Sequence, residues 1–236
     1  MKTLIIVPAY NEENSIKHVL KELNIFCKDC DILVINDCSY DRTKAVLEDI
    51  NIKYLNLPVN LGIGGAVQTG YLYAQRNGYD IAVQFDGDGQ HKAEFVNQII
   101  RPIVDGEADV VIGSRFIEKK GFQSSAARRT GIVFLSAVIR ALSGVVVRDV
   151  TSGFRAVNNK MIQLYASDYA QDFPEPEAIL SAGLHNATIV EVPVEMRNRL
   201  AGKSSINTVK SIYYMIKVSL SLLLSRLSMR GKKHDQ

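Results

Sequence analysis

The sequence predicts an α/β fold, a mostly parallel, doubly wound β-sheet flanked by helices. Three observations carry this reading. Short runs rich in β-branched apolar residues alternate with helical patterns through the first half of the chain. Those runs are almost continuously hydrophobic, as strands covered on both faces are. Polar and glycine-rich segments follow them at their carboxyl ends, the edge where such sheets take ligands.

In chain order, Thr3–Val7, Asp31–Ile35, Lys53–Leu57, Ile81–Phe85 and Val110–Gly113 read as strands. Glu12–Phe26, Arg42–Ile50, Ile63–Arg76 and Ala93–Val104 read as helices between them, with Asn11 and Asp41 as N-caps of the first two. Beyond Arg115 the rhythm changes. Glu118–Arg129 is polar and basic and reads as a loop, and Ile132–Leu142 as an apolar helix. Val150–Val157 and Thr188–Val194 read as later strands, Asn159–Ala166 and Glu177–Ala182 as helices, and Asn198–Ser205 as a second loop. With no internal repeat or linker, residues 1–207 are expected to form one domain and residues 208–236 an appendage.

Within the appendage, Val209, Ile212, Tyr213, Ile216, Leu220, Leu223, Leu224 and Leu227 fall on one helical stripe. Lys210, Tyr214, Lys217, Ser221, Ser225 and Ser228 lie opposite. Lys217 leaves the apolar run short of the roughly 18 uncharged residues of a spanning helix. Two readings fit: an amphipathic helix lying in a membrane interface, or one docked on the core or a partner. The basic cluster Arg226, Arg230, Lys232 and Lys233 suits an anionic membrane surface, or a solvated terminus.

Composition narrows the class. A chain of 236 residues, 47% hydrophobic and 22% charged, is ordinary for a soluble α/β protein with one sizeable core. A net charge of +3 gives no reason to expect nucleic-acid binding. Three cysteines and no signal sequence point to a reducing compartment, and Met1–Pro8 reads as a buried strand. Cys27 and Cys30 close a helix rather than opening one, so they read as plain thiols.

The sharpest motif is Asp86-Gly87-Asp88-Gly89-Gln90-His91, directly after the fourth strand. Two carboxylates two residues apart at a strand end can aim at one hard cation, Mg²⁺ or Mn²⁺. An EF-hand is excluded, since the sixth loop position is His91 and the twelfth Asn97. A plain Asp/Gly surface turn is the other reading of these residues alone. Asn36-Asp37-Cys38-Ser39-Tyr40-Asp41 ends the second strand and offers Asp37 to a base or ribose. Pro8-Ala9-Tyr10-Asn11-Glu12 ends the first and offers Tyr10 for stacking and Glu12 as acceptor. The glycines of Asn60–Ala66 follow the third strand, and their pattern breaks at Val67, which excludes a dinucleotide fingerprint. They fit a helix starting close to the sheet or to a ligand. Gly113-Ser114-Arg115, Thr151–Arg155 and the basic loop Arg199–Ser205 follow.

In this order the segments resemble family-2 glycosyltransferases of GT-A fold, in the branch of dolichol-phosphate mannose synthase and bacterial polyprenyl-phosphate glycosyltransferases. Pro8–Glu12 matches P-x-Y-N-E, Asp37–Thr43 matches D-x-S-x-D-x-T, and Asp86–His91 matches D-x-D-x-Q-H. Gly113–Arg115 matches G-[ST]-R, Thr151–Arg155 the S-G-F-R region, and Arg199–Ser204 R-x-x-G-x-S. The resemblance implies a Rossmann-like GT-A fold in which Pro8, Tyr10, Glu12, Ile35 and Asp37 hold the nucleoside. It implies that Asp86, Gly87, Asp88 and Gln90 serve Mg²⁺ or Mn²⁺ and the diphosphate. Arg115, Arg199, Lys203 and Ser205 would face phosphates or the acceptor, with Asp88 and Arg199 essential to transfer. Asn36 replaces the first of the usual paired aspartates, and Ser205 stands where mannose synthases carry a lysine. GDP-mannose is therefore not fixed as donor.

The implied activity is inverting transfer of a sugar from a nucleotide-diphosphate donor to a polyprenyl phosphate at the cytoplasmic membrane face. Transfer to a hydroxyl of a polysaccharide or lipid-linked glycan is the alternative, and a non-catalytic sugar-nucleotide-binding subunit a further one. A hydroxyl acceptor needs a base, for which Glu177 in Phe173-Pro174-Glu175-Pro176-Glu177 is a candidate. An acidic first helical turn is its other reading. A membrane surface or a small membrane-protein partner is expected because no spanning helix is legible. A homo-oligomer is compatible with the sequence.

Overall fold

The computed structural model describes residues 1–122, 126–199, 215 and 217–227. The strands are β1 (Thr3–Ala9), β2 (Cys30–Asn36), β3 (Tyr54–Asn56), β4 (Ile81–Gln84), β5 (Val110–Ser114), β6 (Arg155–Asn158) and β7 (Ile189–Pro193). The helices are α1 (Ile16–Phe26), α2 (Thr43–Asp49), α3 (Gly62–Arg76), α4 (Val96–Val104), α5 (Ala126–Ser143), α6 (Asn159–Ser167) and α7 (Pro174–Leu184). Residues 217–227 are also helical. One sheet runs β3-β2-β1-β4-β6-β5-β7. Every pairing is parallel except those of β6, which runs antiparallel to both β4 and β5. The expected mostly parallel α/β sheet is the observed one.

Register places the site. Ala9 pairs with Asn36 and Ile6 with Gln84, so Tyr10, Asp37 and Asp86 leave neighbouring strands at one edge. Alternation along each strand then feeds two cores. Leu4, Ile6, Leu33 and Ile35 pack toward α3, α6 and α7. Ile5, Val7, Ile32 and Val34 pack toward α1 and α4. The glycines of α3 mark close approach: a Cβ on Gly70 would stand 2.3 Å from Ile6 Cγ2, and one on Gly64 2.3 Å from the Ala170 carbonyl oxygen.

Several boundaries differ from the sequence expectation. Asn11 does not cap α1, which begins at Ile16 after Ser15. Asn11 adopts φ 57°, a left-handed conformation that Asn tolerates better than most residues. From there it donates its backbone N–H to Ser39 Oγ (2.9 Å) and accepts from Tyr40 N (3.0 Å), tying two ligand-edge loops together. α2 begins at Thr43 after Arg42, so Asp41 stands one residue ahead of the N-cap, from where its Oδ1 accepts from Thr43 N at 2.9 Å. β6 is shorter than Val150–Val157, because residues ahead of it are drawn into buried polar contacts such as Ser152 Oγ to Gly113 O (2.7 Å). α5 starts at Ala126, inside the expected loop, and α7 at Pro174, with proline in the first turn. Cys27 is buried at the end of α1, and burial pushes its thiol up to about 12, so it stays protonated.

Residues 217–227 dock by the face opposite the leucine stripe. Val218 and Leu222 are fully buried, and Ser221 Oγ donates to Glu177 Oε1 at 2.9 Å. Leu220, Leu223, Leu224 and Leu227 remain exposed. The stripe residues Val209, Ile212, Tyr213 and Ile216, together with the basic tail, lie outside the described residues. Among the described residues no helix is long and apolar enough to cross a membrane.

Candidate active site

A cavity of about 1200 Å³ opens along the ligand edge of the sheet. One end is lined by Pro8, Ala9, Tyr10, Glu12 and Asp37, beside Asn60, Gly62 and Ile63 at the start of α3. Asp37 is buried and its Oδ1 accepts the Leu61 N–H at 2.7 Å. Its backbone N–H donates to Ala9 O at 2.9 Å, which locks the ends of β1 and β2 together. Glu12 accepts from Ser15 Oγ, while burial lifts its carboxyl above the ordinary range.

The acidic turn forms the middle of the cavity. Asp88 is buried, and its Oδ1 accepts the Gln90 N–H at 2.9 Å. Burial, and after it the charge of Asp86, pushes the Asp88 carboxyl above the usual carboxylate range. Arg199 Nε stands 3.0 Å from Asp88 Oδ2. The segment carrying Arg199, beyond the end of β7, is fastened to the same turn, since Arg197 N donates to Gln90 O at 3.0 Å. His91 orients Asp86. Its buried ring stacks on Phe154 at 4.7 Å and meets Phe85 edge-on. Nδ1 accepts the Asp86 N–H at 3.1 Å, so the ring proton belongs on Nε2, 3.6 Å from Asp86 Oδ2. Burial pushes this imidazole down, which favours the neutral form that this bond requires.

Opposite the turn, Gly153 lets the chain approach Asp86. A Cβ there would stand 2.9 Å from Gln84 Nε2 and 3.0 Å from Asp86 Oδ2. Arg115 lines the cavity but is engaged by fully buried Asp149, through Nε to Oδ2 (2.7 Å) and Nη2 to Oδ1 (2.6 Å). Arg115 Nη2 also reaches Thr151 Oγ1 at 3.0 Å. The far end is apolar, formed by Ile132, Phe134 and Leu135 of α5 and by Met215, Leu220 and Leu223.

The structure thus brings Pro8, Tyr10, Glu12, Asp37, Asp86, Gly87, Asp88, Gln90, Arg115 and Arg199 together. Ile35 is not with them; its side chain is buried in the core beneath α3. Glu177 is also elsewhere, held by Ser221 and Ser225 (3.5 Å) of the C-terminal helix. Glu175, two residues earlier, lines the cavity instead. Lys203 and Ser205 lie outside the described residues. Sequence reasoning passed over Asp149, although a buried arginine after β5 calls for a buried counter-ion.

The family model described as glycosyl transferase family 2 matches residues 4–164. The chain belongs to this family. Family-2 relatives of similar length include the UDP-N-acetylglucosamine–dolichyl-phosphate N-acetylglucosaminyltransferase of Methanococcus voltae. It is 31% identical over 81% of this chain and 84% of the relative. The undecaprenyl-phosphate mannosyltransferase of Micrococcus luteus is 29% identical over 88% of each. Among solved structures, the glucosyl-3-phosphoglycerate synthase of Mycobacterium tuberculosis, in complex with Mn²⁺, UDP and phosphoglyceric acid, superposes with a TM-score of 0.72. It covers 95% of this chain and 78% of that one at 20% identity, which speaks to the shared GT-A fold.

Proposed function

We propose that this glycosyltransferase moves a sugar from a nucleoside-diphosphate donor to a polyprenyl phosphate at a membrane surface. The observation that carries it is the composition of the cavity: one space is lined by polar residues at the ends of β1 and β2, by the acidic turn, and by apolar residues of α5 and the C-terminal helix. A lipid-free polysaccharide gains little from Phe134, Leu135, Leu220 and Leu223, whereas an isoprenoid chain packs against them. The polyprenyl-phosphate relatives support the same acceptor class.

In this reading Asp37 and Glu12 accept from the nucleoside and Tyr10 packs against it. Asp86 and Asp88 offer hard oxygens, and both carboxylates line one space with Gln90, a donor set that fits Mg²⁺ or Mn²⁺. A divalent cation held by them would neutralise charge on the departing diphosphate. Arg199, half exposed above Asp88, adds a guanidinium to the same phosphates. An acceptor phosphate oxygen attacks the anomeric carbon, the bond from that carbon to the donor phosphate breaks, and the nucleoside diphosphate leaves. The attacking oxygen is already anionic, so this step needs no proton acceptor. The exposed leucines of residues 217–227 rest on the membrane, and liposome flotation at low salt should carry the full chain upward.

The test is incubation with labelled UDP-, GDP- and dTDP-sugars, Mn²⁺ and undecaprenyl phosphate. Label is expected in the organic phase; label confined to aqueous glycan would overturn the acceptor assignment. Leu223→Asp should lower lipid-phosphate transfer roughly 10-fold or more, because charge in an apolar site is costly, while nucleotide binding stays unchanged. Gly153→Ala should displace Asp86 and weaken Mn²⁺ binding by about 10- to 100-fold, the scale of a disturbed supporting shell, as read from free Mn²⁺ by electron paramagnetic resonance.

A further inference from the structure

The start of α7 offers two carboxylates with different surroundings. Glu177 is occupied by two serines, whereas Glu175 lines the cavity. Beneath Glu175 lies Arg155, wholly buried, which donates from Nη1 to the Glu175 carbonyl (3.3 Å) and from Nη2 to the Ser152 carbonyl (2.6 Å). One guanidinium therefore pins the first turn of α7 to the Ser152–Gly153 segment, and Gly153 stands against Asp86. Glu175 is thereby set on the Asp86 side of the cavity, within electrostatic reach of Asp86 and Arg115. Among the described residues no side chain hydrogen-bonds or ion-pairs with its carboxylate. The half-buried carboxylate takes a hydrogen bond from its own backbone N–H, and its remaining lone pairs are open to donors of a ligand in the cavity.

The chemistry of the donor limits what that ligand group is. A carboxylate repels phosphate oxygens and accepts from hydroxyls. A nucleoside-diphosphate sugar carries hydroxyls at two places, the ribose and the transferred sugar. The ribose belongs at the Pro8–Asp37 end, beyond the acidic turn. The transferred sugar is bonded to the outer phosphate and must lie beside that turn.

We infer that Glu175 accepts hydrogen bonds from ring hydroxyls of the transferred sugar and thereby selects which sugar is held. This rests on the function proposed above. Glu175 is a specificity residue in this scheme and takes no proton, since a phosphate acceptor has none to give.

The experiment compares wild type, Glu175→Gln and Glu175→Asp by calorimetry with Mn²⁺, using UDP, GDP, UDP-glucose, UDP-N-acetylglucosamine and GDP-mannose. Wild type should prefer one nucleotide and one of its sugars. Glu175→Gln should bind the free nucleotide within about 2-fold of wild type but lose about 10- to 100-fold against the nucleotide-sugar, the range of hydrogen bonds to a charged group. Glu175→Asp should change the ranking among sugars. An unchanged sugar-to-nucleotide affinity ratio in Glu175→Gln overturns the inference, and if transfer is then lost the residue is a proton acceptor instead. A parallel fall in both affinities with a lower melting temperature also overturns it, since that is a purely structural role. Failure of the wild-type chain to bind any nucleoside diphosphate would overturn the proposed function itself, and this inference with it.

Discussion

Asp88→Ala is expected to reduce sugar transfer by more than about 100-fold, beyond the usual cost of removing a supporting outer-shell group. The fold should survive. Asp88 is buried beside a second carboxylate, and both that burial and that neighbour disfavour its charge. Its removal therefore relieves a repulsion, and Arg199, half exposed, turns to solvent. The unfolding midpoint should stay level or rise, as often happens when a functional charge is deleted. Near-normal turnover by this variant would remove the acidic turn from the mechanism.

Asp149→Ala is expected to do the reverse and act on stability first. Arg115 keeps its buried position and loses both carboxylate bonds. Breaking a buried pair from one side costs about 3–5 kcal/mol. At roughly 2–4 °C per kcal/mol for a domain of this size, the melting temperature should fall by about 10 °C. The Arg115 backbone N–H, 3.1 Å from Asp149 Oδ2, loses its partner as well. Calorimetry should show the drop without any ligand present. A loss below about 1 kcal/mol would mean that Arg115 escapes to the cavity.

The two variants separate what the sequence made legible from what it did not. The first five strands read directly, since runs such as Leu4–Val7 and Leu33–Ile35 are apolar on both faces and show it residue by residue. Asp37, Asp86 and Asp88 were legible because a strand end is a fixed place and a carboxylate there has few structural duties. The direction of β6 was not legible: the four residues Arg155–Asn158 carry no mark of which way the strand runs. Ile35 illustrates a limit of the family resemblance, which assigned it to the nucleoside although strand alternation points its side chain to the core. Glu175 and Glu177 share composition and helix, and only the packing of residues 217–227 against α7 tells them apart. Asn11 looked like a cap because caps and left-handed turns favour the same residue.

The reversed strand has one consequence for how the molecule tolerates change. Because β6 runs against its neighbours, the chain crosses the ligand edge on its way into the strand. Ala156 is hydrogen-bonded in register with Val83 on one side and Val111 on the other. Gly153, three residues upstream, inherits its spacing from Asp86 from that double ladder, not from a loop. The close approach of Gly153 to Asp86 is thus set by backbone pairing. Surface connections can lengthen or drift without altering it, whereas one residue inserted between Gly153 and Arg155 would disrupt it.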